Sequence, residues 1–158
     1  MRVIERAGVA AVSQRVVAQE AGVPPSAVTY YFPAVDNLLV AALADCNDDY
    51  LRRLDACARD PEPLAALARL MAQSTGARRP YVAAEYELFL MAARRPELRP
   101  EAARWAAAVD AFLASHVPDP LTRAGVAAAV DGLFLRCYAV PDPPDADEVH
   151  AVLARLVG

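Results

Sequence analysis

The side chains best placed to do chemistry in this sequence suit recognition rather than catalysis. Ser26, Thr29 and Tyr30 crowd three hydroxyls onto one short stretch, beside the small Ala27 and a second ring at Tyr31. Hydroxyls of this kind hydrogen-bond phosphates and base edges, and a tyrosine ring also meets a thymine methyl. Gln14 and Arg15 precede them and suit backbone phosphates, helped by the positive end of the helix they open. A second group centres on Glu85, one helical turn from both Tyr81 and Phe89. If that carboxylate is partly buried it needs a partner, a shifted pKa or a cationic ligand. The other reading has it in solvent beside Arg78 or Arg79. Nothing supports an enzyme: no nucleophile stands beside a base, and no glycine loop cradles a phosphate. Cys46 and Cys57 share a helix face but lie roughly 16 Å apart, too far for a bond or a shared metal. With Cys137 they read as small buried hydrophobes. His116 and His150 accompany no ligand cluster, so neither a metal nor another cofactor is expected.

Residues 13–39, SQRVVAQEAGVPPSAVTYYFPAVDNLL, must position the first group. Ser13 is an N-cap for a helix whose apolar side is Val16, Val17, Ala18 and Ala21. Gly22 supplies the positive φ a helix C-terminus favours. Pro24 and Pro25 belong in a turn or a first helical turn. Residues 26–32 make a second helix that Pro33 stops. Val23, Val28, Tyr31 and Phe32 are the expected anchors into a small core, with Ser26, Ala27, Thr29 and Tyr30 outward. Two short helices around a glycine-containing turn make a helix-turn-helix, whose second helix fits a DNA major groove.

At these residues the chain resembles the TetR family of transcriptional regulators. The likeness lies in Ala21-Gly22-Val23, Tyr30-Tyr31-Phe32, Asp36 and Leu38-Leu39, a turn signal and an aromatic signature at fixed spacing. It covers roughly the first quarter of the chain. It implies a homodimeric, ligand-responsive DNA-binding protein, most often a repressor. The sequence departs from the family's pattern at Thr29, where an aromatic residue is frequent, and at Val35, where a basic one is. It opens at MRVIERAG, which looks like the second half of the family's first helix, without the basic arm and first turns.

A chain of 158 residues can bury one substantial core, or two small ones sharing a long helix. Its hydrophobic share of 56% points to packed helices rather than disorder. Signal-peptide and membrane-spanning patterns are absent, so a cytoplasmic location is expected. Net charge is −4. Within residues 1–40, Arg2, Arg6 and Arg15 are balanced by Glu5, Glu20 and Asp36, so the DNA-facing part is neutral. Phosphate neutralisation supplies much of DNA affinity, which keeps open a helical ligand-binding or dimeric module that has lost DNA binding.

The pattern predicts an all-α protein. A three-helix DNA-binding domain with the helix-turn-helix occupies residues 1–40, and a helical ligand-binding and dimerisation domain occupies 41–158. A long helix over 34–60 joins them, its stripe of Leu38, Leu39, Leu43, Cys46, Tyr50, Leu54 and Cys57 recurring in three- and four-residue steps. Further helices follow near 64–71, 81–95, 101–116, 120–140 and after 147, with a loop over 74–80.

Residues 126–140 are apolar nearly all round, which argues for cover on more than one side. Gly125, Ala129, Gly132 and Arg136 line one side there, and Ala103, Ala107, Asp110 and Ala114 form a similar stripe on the preceding helix. Such stripes fit a four-helix interface about a twofold axis; packing within the chain is the alternative. Met71, Tyr81, Glu85, Tyr86, Phe89, Trp105, Phe112 and Phe134 are candidates to line a ligand pocket, or simply core. The expected partners are thus double-stranded operator DNA, a second copy of the chain and a small-molecule effector, with no membrane.

Overall fold

Proline and glycine punctuate the chain into its elements. The computed structural model describes residues 1–73 and 76–158, and their regular structure is helical throughout. In order these are α1 (Arg2–Ala7), α2 (Gln14–Ala21), α3 (Pro25–Tyr31), α4 (Val35–Ala58) and α5 (Pro63–Ala72). Then come α6 (Arg79–Met91), α7 (Arg99–Leu113), α8 (Pro120–Ala139) and α9 (Ala146–Val157). Single 3-10 turns occupy Val9–Ala11, Gly76–Arg78 and Pro96–Leu98. Pro25, Pro63 and Pro120 each sit in the first turn of a helix, where a missing N–H costs nothing. Gly8 and Gly22, with φ of 75° and 68°, take the positive values that end α1 and α2. Of the loop expected over 74–80, Ser74 and Thr75 lie outside the described residues, while the remainder is the 3-10 turn and the start of α6.

Two compact units result: Met1–Asp48 with Pro80–Ala103, and Asp49–Arg79 with Arg104–Gly158. In the first, Ile4, Val9, Leu39, Leu43, Ala84, Leu88, Ala92 and Leu98 form the core, drawn from α1 and the turn after it, α4, α6 and the residue following it, and the turn before α7. A smaller cluster of Ala18, Val28 and Leu38 lies beneath α2 and α3. In the second, α5 packs on α9, and α8 packs on both. Leu67, Met71, Val130, Val149 and Leu153 are buried there. Asp145 opens α9 with a reciprocal capping box: its carboxylate accepts from the Glu148 N–H, and Glu148 reaches back to the Asp145 N–H.

Candidate nucleic-acid interface and effector residues

The helix-turn-helix is held from beneath by few contacts, which leaves its outer surface open. The Ser13 hydroxyl accepts from the Val16 N–H at 3.2 Å and starts α2. Gln14 donates its amide to the carbonyls of Phe32 (3.2 Å) and Pro33 (3.0 Å), stitching the start of α2 to the end of α3. Arg15 is exposed on the first turn of α2. On α3, Val28 faces the small core, while Ser26 and Thr29 are exposed and Ala27 is half-buried. Tyr30 and Tyr31 are 79% and 73% exposed and meet edge to face at 5.0 Å. Two expected core anchors are therefore corrected: Val23 and Tyr31 face solvent, and Val28 with the half-buried Phe32 does the anchoring. A seven-residue helix has room for little more than one buried position per turn, and Val28 takes it. The Thr29 hydroxyl donates to the Pro25 carbonyl at 3.0 Å, so what it offers outward is an acceptor.

Three charges of the head, Arg2, Arg6 and Glu20, pair within it. Glu20 on α2 takes hydrogen bonds from Arg2 (2.8 Å) and Arg6 (3.0 Å) of α1. Arg6 first and Arg2 second hold its carboxyl below the ordinary range. Glu87 on α6 accepts the Val9 N–H at 3.0 Å, fastening the turn before α2, and Arg95 pairs with Asp36 at the start of α4.

The aromatic candidates fall into two sets. In the first unit, α6 buries Glu85 and Tyr86, with Tyr81 and Phe89 half-buried on the same helix. Of the two readings for Glu85 the buried one holds, at 6% exposure. Burial raises the Cys46 thiol to about 12; a hydrogen bond from Tyr81 opposes that rise, and the charge of Glu85 adds to it. In the second unit Trp105 stacks on Tyr50 with ring centres 4.0 Å apart and planes 4° from parallel. Phe134 stands edge-on to Tyr50 at 5.9 Å. Asp131 accepts a hydrogen bond from Trp105; the residue is exposed overall, and partial desolvation of its carboxyl outweighs that bond and raises it. Met71 is wholly buried, and Phe112 lines an open apolar groove of about 530 Å³ with Leu51, Leu54, Ala58, Ala108 and Ala111. Tyr50 and Asp131 are site residues that residue spacing does not single out. Tyr50 looked like one more residue of the α4 stripe, but Asp131 carried a signal as the one carboxylate in the apolar α8.

Both small-residue stripes are accessible within the single chain. Ala103, Ala107, Asp110 and Ala114 are exposed, as are Gly125, Gly132 and Arg136, with Ala129 half-buried. Arg123 of α8 donates to Asp110 at 2.7 Å. A Cβ added at Gly125 or Gly132 would meet nothing within 4 Å.

Residues 59–158 match the family model described as the tetracyclin repressor-like C-terminal domain. The chain belongs to the TetR family of ligand-responsive transcriptional regulators. That is a family of regulators, not a class of enzymes. The multidrug binding protein EbrR, solved with ethidium, is 41% identical and superposes with a TM-score of 0.83 over 98% of this chain and 91% of that one. A TetR-family member from Streptomyces coelicolor A3, SCO1917, is 40% identical with a TM-score of 0.85 over 99% and 92%. EbrR has also been solved with proflavin, at 41% identity, a TM-score of 0.77 and coverage of 98% and 93%. A comparison with curated proteins finds no match. Among the described residues no single helix is long and apolar enough to cross a membrane.

Proposed function

We propose that this protein is a homodimeric repressor acting in the cytoplasm, which binds a palindromic operator through α2 and α3 and is released by a small aromatic cation. The observation that carries the DNA half is the outer surface of α3. Ser26, Thr29, Tyr30 and Tyr31 face solvent from a helix that Val28 holds on its other side. Tyr30 is assigned to a base edge or thymine methyl, Thr29 to an exocyclic amine through its free acceptor, and Arg15 to a phosphate. Gln14, Ser26, Ala27 and Tyr31 complete the contact surface, Gln14 mainly by fixing the geometry of the head.

Functionally, residues 1–40 are the DNA-binding domain and 41–158 the domain for ligand and dimer. The effector half rests on Glu85, a carboxylate buried beside aromatic rings on α6. A buried carboxylate favours a ligand that brings positive charge, and ethidium and proflavin, the ligands of the similar EbrR, are aromatic cations. Within the first unit Tyr81, Tyr86 and Phe89 accompany Glu85 in this role. Ala103, Ala107, Asp110, Ala114, Gly125, Ala129, Gly132 and Arg136 are assigned to the twofold interface.

A ligand that favours one tilt of α4 changes the distance between the two copies of α3. Half-sites lie about 34–36 Å apart on adjacent major grooves, so a small change breaks simultaneous contact. The ligand acts only through its difference in affinity for the two arrangements, about 3 kcal/mol for a hundredfold effect. The test is selection of bound DNA from a random pool, followed by gel-shift titration across salt. A palindromic site, a steep fall in affinity with salt and release by proflavin are expected. The Arg15→Gln variant should lower the slope of log affinity against log salt by about one. Recovery of no preferred DNA would instead favour a ligand-binding module without DNA function, the reading supported by the neutral charge of residues 1–40.

A further inference from the structure

Asn47 sits midway along α4 and is fully buried. Its Nδ2 donates to the Glu101 carboxylate at 2.7 Å and to the Glu101 backbone carbonyl at 2.9 Å, at the start of α7. Both partners are acceptors, so the amide can stand in one orientation only, nitrogen toward Glu101. The Oδ1 is thereby fixed on the opposite side, where no donor among the described residues reaches it. A buried acceptor left without a donor is costly, and that cost vanishes when a ligand brings an N–H. Asn47 and Glu85 are the two carboxamide or carboxylate groups buried among the described residues. The unmet group at Asn47 is an acceptor, which suits a ligand carrying its own N–H groups.

We propose that Asn47 is an effector-contact residue whose Oδ1 accepts a hydrogen bond from an exocyclic amine of an aromatic cation, selecting aminated rings over their N-alkylated counterparts. This rests on the effector reading given above and adds to it the class of donor recognised.

Proflavin and acridine orange make the decisive pair, sharing a ring system and a positive charge but differing in whether the exocyclic nitrogens carry hydrogens. Fluorescence titration of the whole protein should show proflavin bound roughly tenfold tighter. In Asn47→Leu, similar in size but without the acceptor, that preference should collapse to near unity. In Glu101→Ala, which keeps the backbone carbonyl that orients Asn47, the preference should persist. An unchanged preference in Asn47→Leu, or its loss in both variants alike, overturns the assignment. If Asn47→Leu does not fold, crystals of the unaltered protein with proflavin decide. An amine of the dye within hydrogen-bond reach of Oδ1 supports the proposal, and a water there with the dye elsewhere overturns it. Failure of both dyes to bind the unaltered protein would bring down the effector reading itself. Tight but indiscriminate binding would bring down only the role of Asn47.

Discussion

Tyr30 offers most of its ring to solvent from a helix secured by Val28, so removing the ring tests recognition without disturbing packing. Tyr30→Ala should lower affinity for the selected operator about tenfold and leave the melting temperature unchanged. A fall in melting temperature of several degrees would instead make Tyr30 part of the fold. Residue types were legible here, but orientations only partly. Ser13, Gly22 and Pro25 behave as local chemistry dictates, because caps, positive φ and missing donors are decided within one turn of chain. Val23 and Tyr31 show that apolar character does not entail burial, because the short α3 offers the core almost nothing beyond Val28. Gln14 looked like a free phosphate ligand, yet its amide nitrogen serves the Phe32 and Pro33 carbonyls. Such a partner eighteen or nineteen residues away is a property of the fold and leaves no mark on spacing.

Element boundaries were easier, since proline and glycine set them. The expected helix over 34–60 is α4 at Val35–Ala58, and the last break, rich in proline and aspartate, ends where Asp145 caps α9. That cap supports a helix packed on α5 and α8, so Asp145→Ala should cost about 1 kcal/mol, measured by denaturant unfolding at constant slope. No change would mean that tertiary packing alone fixes the start of α9. A second element-scale test concerns the joint between α1 and α2. Arg6 and Arg2 hold Glu20 below its ordinary pKa. A carboxylate lowered in the folded state contributes stability above its unfolded value and loses that contribution as pH falls through the folded one. Glu20→Gln should therefore melt below the unaltered protein at neutral pH, and the two should converge in acid. Parallel curves across pH would assign the difference to something other than this ion pair. Two ties to the head leave no mark in the sequence: Glu87 of α6 on the Val9 N–H, and Arg95, just beyond α6, on Asp36. They depend on a packing of α6 that no local pattern encodes.

For the whole molecule the open question is what the glycines of α8 are for. Glycine inside a helix costs about 1 kcal/mol relative to alanine, and α8 carries both Gly125 and Gly132. Among the described residues nothing requires them, since an added Cβ at either would meet no atom within 4 Å. Gly132 is exposed and shares its side of α8 with Arg136, while Leu135 beside it is exposed despite its size. Close approach of a second α8 about a twofold axis accounts for these features together, because a missing side chain lets backbones draw near. Gly132→Leu separates this from a cost with no purpose. In an isolated subunit the leucine has room and improves helix propensity, so the variant should fold and melt no lower at the level of the single chain. In a dimer it clashes across the axis. Sedimentation should then show monomers at concentrations where the unaltered protein is paired. Operator affinity should fall by more than a hundredfold, since one α3 cannot hold two half-sites. A Gly132→Leu protein that sediments as a dimer and binds DNA normally would place the twofold contact on another surface and leave the glycines of α8 without a purpose.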